Sequence, residues 1–123
     1  MKGKNILLVE DDQFIVDIYT TELKEAGFSV ENVNDGADVL KKIKEMNPDL
    51  ILLDIVLPGM NGWEILEMMH NMNEYKKLPV IILSNLYQKE EVERGMKLGA
   101  AKYMIKAHHT PSEVVMEIKN ILG

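Results

Sequence analysis

At 123 residues the chain has room for one domain with a single proper core, and its 46% hydrophobic content fits a globular protein. Fourteen basic residues against twenty acidic ones give a net charge of −6, so direct nucleic-acid binding through a basic surface of this domain is not expected. The sequence has no cysteine, which excludes disulfides and zinc–thiolate sites, and no apolar run approaches the ~18–20 residues of a membrane-spanning helix; a cytoplasmic location is the default expectation.

The first strand is expected at about 5–10, from the run Ile6-Leu7-Leu8-Val9. Four apolar residues followed by Glu10-Asp11-Asp12 are too few for a signal-peptide core. A helix follows at about 13–26. Ile15, Ile18, Tyr19, Leu23 and Ala26 recur at helical spacing, Asp12 is placed to cap it, and Gly27 supplies a left-handed stop. Residues 28–33 alternate apolar and polar, as an edge strand does. Asn34-Asp35-Gly36 reads as a turn and cap for a second helix at about 36–46, with Leu40, Ile43 and Met46 inward.

Pro48 ends that connection, and the third strand is placed at about 49–54. Its continuous run Leu50-Ile51-Leu52-Leu53 is the pattern of a strand covered on both faces. It ends on Asp54, a charge at the point where the backbone leaves the core. Pro58-Gly59 forces a turn, and Asn61 with Glu64 three residues later starts a third helix at about 62–72, with Ile65, Leu66, Met69 and Met72 inward. A fourth strand at about 79–84 ends on Ser84-Asn85, and a fourth helix at about 88–98 is closed by Gly99. The fifth strand, at about 102–106, ends on Lys106. Thr110-Pro111-Ser112-Glu113 is a capping box with proline at the first helical position, opening a last helix at about 111–122. Neither a linker nor an internal repeat interrupts residues 1–123, so one domain is expected. The chain stops just after the fifth helix, which suits either a stand-alone protein or one domain of a longer one.

Five β-α repeats, with solid apolar strands one, three and four, predict an α/β three-layer sandwich. Its parallel sheet should have the flavodoxin-like order 2-1-3-4-5, with helices on both faces. The switch point then lies between strands one and three, and a site is expected beyond their carboxyl ends. There the strands deliver Glu10 and Asp11, Asp54, Ser84 and Lys106. Taken singly, each has a plain reading: a solvated lysine, a hydroxyl satisfying a loop, and, for the neighbouring Asp12, a helix cap. Together they are a chemistry. Three carboxylates this close repel unless a cation joins them, and an all-oxygen donor set points to a hard ion such as Mg²⁺ that keeps several waters. A magnesium ion beside a carboxylate, a lysine and a hydroxyl is what phosphoryl transfer needs.

Val9-Glu10-Asp11, the stretch from Asp54 to Gly62, Ser84-Asn85 and Tyr103-Met104-Ile105-Lys106 together resemble the receiver domain of bacterial two-component response regulators, over essentially all of residues 4–122. The resemblance implies that Asp54 accepts a phosphoryl group from the phosphohistidine of a sensor kinase or phosphotransfer domain. It implies Asp11 as a direct ligand of Mg²⁺ (or Mn²⁺ in its place), Glu10 acting mainly through water, and the backbone carbonyl of Val56 completing the protein ligands. Lys106 and Ser84 would bind the phosphoryl group, and Tyr103 would swing inward as Ser84 moves. The switched surface would be helix four, strand five and helix five. A downstream protein, an output domain or a second copy in a phosphorylation-dependent homodimer would read it. No separate substrate turnover is expected, and no membrane partner.

The chain departs from the family's pattern in two respects. The family usually follows its lysine with proline after a cis bond, whereas Ala107 stands here, ahead of His108 and His109; either a strained cis bond or a trans bond with a shifted loop is expected. Val56 and Leu86 are apolar where other receivers often place polar side chains near the attacking water, which predicts a long-lived aspartyl phosphate. Two other classes fit less well. A flavodoxin-like cofactor binder needs a Ser/Thr/Gly-rich phosphate loop where Glu10-Asp11-Asp12 stands, and a haloacid-dehalogenase-type phosphatase normally has a second acid at the position of Val56. A degenerate receiver used only for protein binding is disfavoured by the intact acids, Ser84 and Lys106. Trp63, the only tryptophan, lies close enough in sequence to Asp54 to suggest Mg²⁺-dependent fluorescence.

Overall fold

The structure is a computed structural model that describes residues 3–123. Strands β1 (Asn5–Val9), β2 (Ser29–Val33), β3 (Leu50–Leu53), β4 (Val80–Ser84) and β5 (Lys102–Ile105) alternate with helices α1 (Gln13–Glu25), α2 (Val39–Met46), α3 (Gly62–His70), α4 (Lys89–Lys97) and α5 (Pro111–Leu122). The sheet order is β2-β1-β3-β4-β5 and every pairing is parallel, as the strand patterns predict. No described helix is long and apolar enough to cross a membrane.

The side-chain alternation of the strands splits the core into two layers. Leu7, Val9, Ile51, Leu53, Val80 and Ile82 face α2 and α3, where they meet Val39, Ile43, Trp63, Ile65, Leu66 and Met69. Ile6, Leu8, Leu50, Leu52, Ile81, Leu83 and Met104 face α1 and α5, against Val16, Tyr19, Leu23, Val114, Val115 and Ile118. All four residues of β3 are 0% exposed, so each leucine or isoleucine there contributes about 1.5–3 kcal/mol by burial. That contribution holds the tip of β3 rigid, and the tip carries Asp54.

Two helix ends differ clearly from expectation. The second helix begins as a 3₁₀ turn over Gly36–Asp38, because Asp35 caps it by accepting from the Ala37 amide at 2.9 Å. The α-helix proper starts at Val39, which rotates Val39 and Ile43 inward and leaves Leu40 half-exposed. α3 stops at His70, two residues early, where the Asn71 amide bonds back to the Glu67 and Met68 carbonyls.

α4 is the least embedded helix. Within it only Gly95 is buried. A β-carbon at Gly95 would stand 2.6 Å from Ile82 Cδ1 and 2.9 Å from Tyr103 Cδ2, so its absence lets the helix lie directly on β4 and β5. A second tie runs sideways to α3: the Arg94 guanidinium lies 4.5 Å from the centroid of the Trp63 ring, a cation–π contact.

Candidate functional site

Parallel strands bring their carboxyl ends to one edge, and the residues that follow β1, β3 and β5, with the last residue of β4, converge there. Glu10 is buried at 2% exposure, Asp54 at 7% and Ser84 at 1%, while Asp11 is open to solvent. Sheet-like hydrogen bonds continue past the strands and fix the acids. The Asp54 amide donates to the Val9 carbonyl at 3.0 Å, and the Glu10 amide to the Val33 carbonyl at 3.0 Å. Asn32 on β2 adds a buttress: its side-chain amide donates to the carbonyls of Leu8 at 2.9 Å and Glu10 at 3.2 Å.

Lys106 joins the two buried acids. Its Nζ lies 2.5 Å from Glu10 Oε1 and 3.0 Å from Asp54 Oδ2. The remaining carboxylate oxygens are taken by backbone amides. Glu10 Oε2 accepts from Asp12 at 3.1 Å, and Asp54 Oδ1 accepts from Ile55 at 2.7 Å and Val56 at 3.4 Å. Burial pushes the Glu10 carboxyl above its usual range, with the Asp54 charge adding to it; the Lys106 ammonium and the Asp12 amide oppose this without cancelling it. Burial also works to lower the Lys106 ammonium, but Glu10 and Asp54 outweigh it and hold it above its ordinary value.

Glu10, Asp11 and Asp54 each offer an oxygen, and these oxygens lie within 4.8 Å of one another. Among the described residues no other group of three acids or histidines comes together in this way. Three carboxylates face one ammonium, and the solvent-open Asp11 leaves room for waters. The donor set therefore fits a hard divalent cation of the Mg²⁺ kind.

On the far side of Asp54, Ser84 Oγ accepts from the Leu86 amide at 3.3 Å. Tyr103 reaches inward from β5, half-buried, and its hydroxyl donates to the Leu86 carbonyl at 2.6 Å. Burial, with the charges of Glu91 and Asp54 behind it, raises the Tyr103 phenol above its ordinary value. Ser84 and Tyr103 thus grip the same residue of the β4–α4 loop.

The loop after β5 resolves the choice at Ala107. All described peptide bonds are trans, and Lys106–His108 form a 3₁₀ turn. The Ala107 N–H, a donor that proline would lack, is satisfied by Asn85 Oδ1 at 3.1 Å. His108 is exposed and His109 half-exposed at the entrance to α5. Asp12 caps α1 by accepting from the Phe14 amide at 3.0 Å.

Comparison with known proteins agrees with this architecture. A sequence profile described as the response regulator receiver domain matches residues 6–119. The chain belongs to the response-regulator receiver family. This receiver is 34% identical over 120 residues to the alkaline phosphatase synthesis transcriptional regulatory protein PhoP of Bacillus subtilis, covering 98% of the chain and 49% of PhoP. The receiver thus spans about half the length of the curated relatives it matches. Among solved structures, a CheY-like response regulator receiver domain protein from Methanospirillum hungatei superposes with a TM-score of 0.87 at 31% identity, covering 97% of this chain and 93% of that one. The Francisella response regulator 1452 receiver domain gives 0.87 at 29% identity, with 98% and 96% covered.

The site residues named from sequence stand together at one edge of the sheet. Sequence reasoning missed three supports: the Asn32 buttress, the Asn85 bond to Ala107, and the direct Glu10–Lys106 ion pair. A polar residue inside the edge strand was the one available signal for Asn32. The other two depend on how neighbouring loops lie in space.

Proposed function

We propose that this receiver takes a phosphoryl group onto Asp54, from the phosphohistidine of a sensor kinase or phosphotransfer domain. One observation carries the reading: Lys106 bridges Asp54 and Glu10 beside an acid cluster that fits a divalent ion. Glu10, Asp11 and Asp54, with the backbone carbonyl of Val56, would hold Mg²⁺ (or Mn²⁺). When bound, the ion supplies charge to the equatorial phosphoryl oxygens. Asp54 is held for in-line attack by the Ile55 amide and the Lys106 ammonium. One of its carboxylate oxygens forms the new bond to phosphorus as the bond to the donor's imidazole nitrogen breaks, and the imidazole leaves with that electron pair. Lys106 then turns from Asp54 to the phosphoryl oxygens.

Ser84 and Lys106 bind the added oxygens in one arrangement of the β4–α4 loop only, so modification shifts a population. Ser84 exchanges the Leu86 amide for the phosphoryl group, and Tyr103, bonded to the Leu86 carbonyl, follows the same loop. The altered surface is α4-β5-α5. A downstream protein or an output domain reads it, or a second copy in a phosphorylation-dependent dimer. The curated relative PhoP, twice as long, is named a transcriptional regulator, which supports a regulatory output outside these residues.

The test is intact-mass measurement after incubation with Mg²⁺ and acetyl phosphate. We expect one added phosphoryl group, absent in Asp54→Ala and blocked by a chelator; an unmodified wild-type mass sinks the proposal. Val56 is 63% exposed and Leu86 half-buried, and neither side chain can orient a hydrolytic water. The phosphorylated mass is therefore expected to be long-lived at neutral pH. Loss within seconds would contradict this.

A further inference from the structure

The β3–α3 loop is tied to the site at its start. Asp54 Oδ1 accepts from the Ile55 and Val56 amides, and the Gly62 amide donates to the Ile55 carbonyl at 2.8 Å. The middle of the loop is held from outside, by the turn after β2. The Gly36 amide donates to the Pro58 carbonyl at 3.2 Å. A β-carbon on Gly36 would fall 1.5 Å from the Met60 carbonyl oxygen, so the two backbones lie in direct contact. Gly59, at φ +71°, meets the other half of the turn: a β-carbon there would stand 2.1 Å from Asp35 Oδ1. That carboxylate is itself fixed by the Ala37 amide. The two loops interlock, and neither glycine has space for a methyl group.

We propose that Asp35 and Gly36 are positioning residues for the metal site: they clasp Pro58–Met60 and so hold the backbone of Val56, two residues upstream, beside Asp54. The proposal rests on the reading of Val56 as a ligand through its carbonyl. A loop that offers a ligand for only part of the time binds with an affinity reduced by that fraction. Residues that orient a ligand without touching the metal commonly cost about 10–100-fold in affinity when altered. Neither Asp35 nor Gly36 is among the acids of the cluster, so their effect would run wholly through the loop.

Mg²⁺ titrations followed by amide chemical shifts test this on wild type, Gly36→Ala, Asp35→Ala and Asp35→Asn. Ile118→Val serves as a control, because it trims the opposite core layer and lowers stability away from the site. Gly36→Ala and Asp35→Ala are expected to bind Mg²⁺ about tenfold more weakly. Asp35→Asn, which keeps the capping oxygen, should recover most of the loss, and Ile118→Val should bind as wild type does. Without metal, the Gly36 amide should exchange with solvent slowly in wild type and faster in Asp35→Ala. Should Gly36→Ala fail to fold, the Asp35 pair decides alone. A folded Asp35→Ala with wild-type Mg²⁺ affinity overturns the clasp while leaving the metal site standing. No Mg²⁺ response in wild type overturns the metal site and the clasp with it.

Discussion

Lys106 is the residue that holds the two buried acids of the site together. Without it, two carboxylates buried at 2% and 7% exposure would face each other with no ammonium between them. Breaking such a pair from one side costs about 3 kcal/mol or more, chiefly through the uncompensated charge left behind. Lys106→Met is therefore expected to lower stability in metal-free urea unfolding at pH 7. The sign with pH follows from Glu10, whose carboxyl is already raised by burial: the fold favours its protonated form. The deficit of Lys106→Met should shrink as pH falls toward 5, and a deficit that grew instead would contradict the ion-pair account. At the alkaline end two groups act together. The Tyr19 phenol, buried against α5 and near Glu10, is pushed up to about 12 from 10.0. The fold holds its proton longer than the unfolded chain does, so its contribution is complete below pH 10 and is lost as pH climbs toward 12. Lys106, also raised, loses its contribution from about its ordinary value of 10.5 upward. Thermal melts should therefore drop steeply above pH 10, and Tyr19→Phe should flatten part of that drop.

At the scale of the elements, the contact between α4 and β5 is governed by Gly95. Alanine there gains about 1 kcal/mol in helix propensity and loses about 1–3 kcal/mol to crowding against Ile82 and Tyr103. The net lies between about zero and a loss of about 2 kcal/mol. Valine has the crowding without the propensity gain, so Gly95→Val should be destabilised by about 2 kcal/mol or more, with the Tyr103 ring displaced in the amide and aromatic spectra. α5 gives a cleaner case. Thr110 and Glu113 form a reciprocal capping box, at 3.2 Å and 2.8 Å, and Thr110→Ala should cost about 1 kcal/mol in urea unfolding. That box was legible in the four residues Thr110-Pro111-Ser112-Glu113, because capping is local. The 3₁₀ start of the second helix was not, because Asp35 can serve equally well as a turn residue or as a cap, and the choice depends on where Pro58–Met60 lie.

For the molecule as a whole, the sheet order and the set of residues at its edge were readable because buried parallel strands are solid apolar runs. A charge that ends such a run must come out at the carboxyl edge. Glu10 and Asp54 announced themselves in that way, and Ser84 as the hydroxyl that ends the apolar run of β4. What the sequence concealed were contacts across loops and between strands that are distant in the chain: Asn32 reaching β1, Asn85 meeting Ala107, Arg94 lying over Trp63. Each depends on register and loop shape, which hydrophobic periodicity does not encode. The last of these changes what the single tryptophan can report. Its indole is buried at 7% exposure in the layer beneath α3, and among the described residues the one cation resting on its face is Arg94 of α4. An indole stripped of that cation emits differently from one that keeps it, so intrinsic emission would register a movement of α4 away from Trp63. In a rapid-mixing experiment with acetyl phosphate, the optical trace would time the helix, while quenched-flow mass measurements time the chemistry. Under the proposed phosphorylation of Asp54, the interval between the two would be the delay between the chemistry and the movement of the helix.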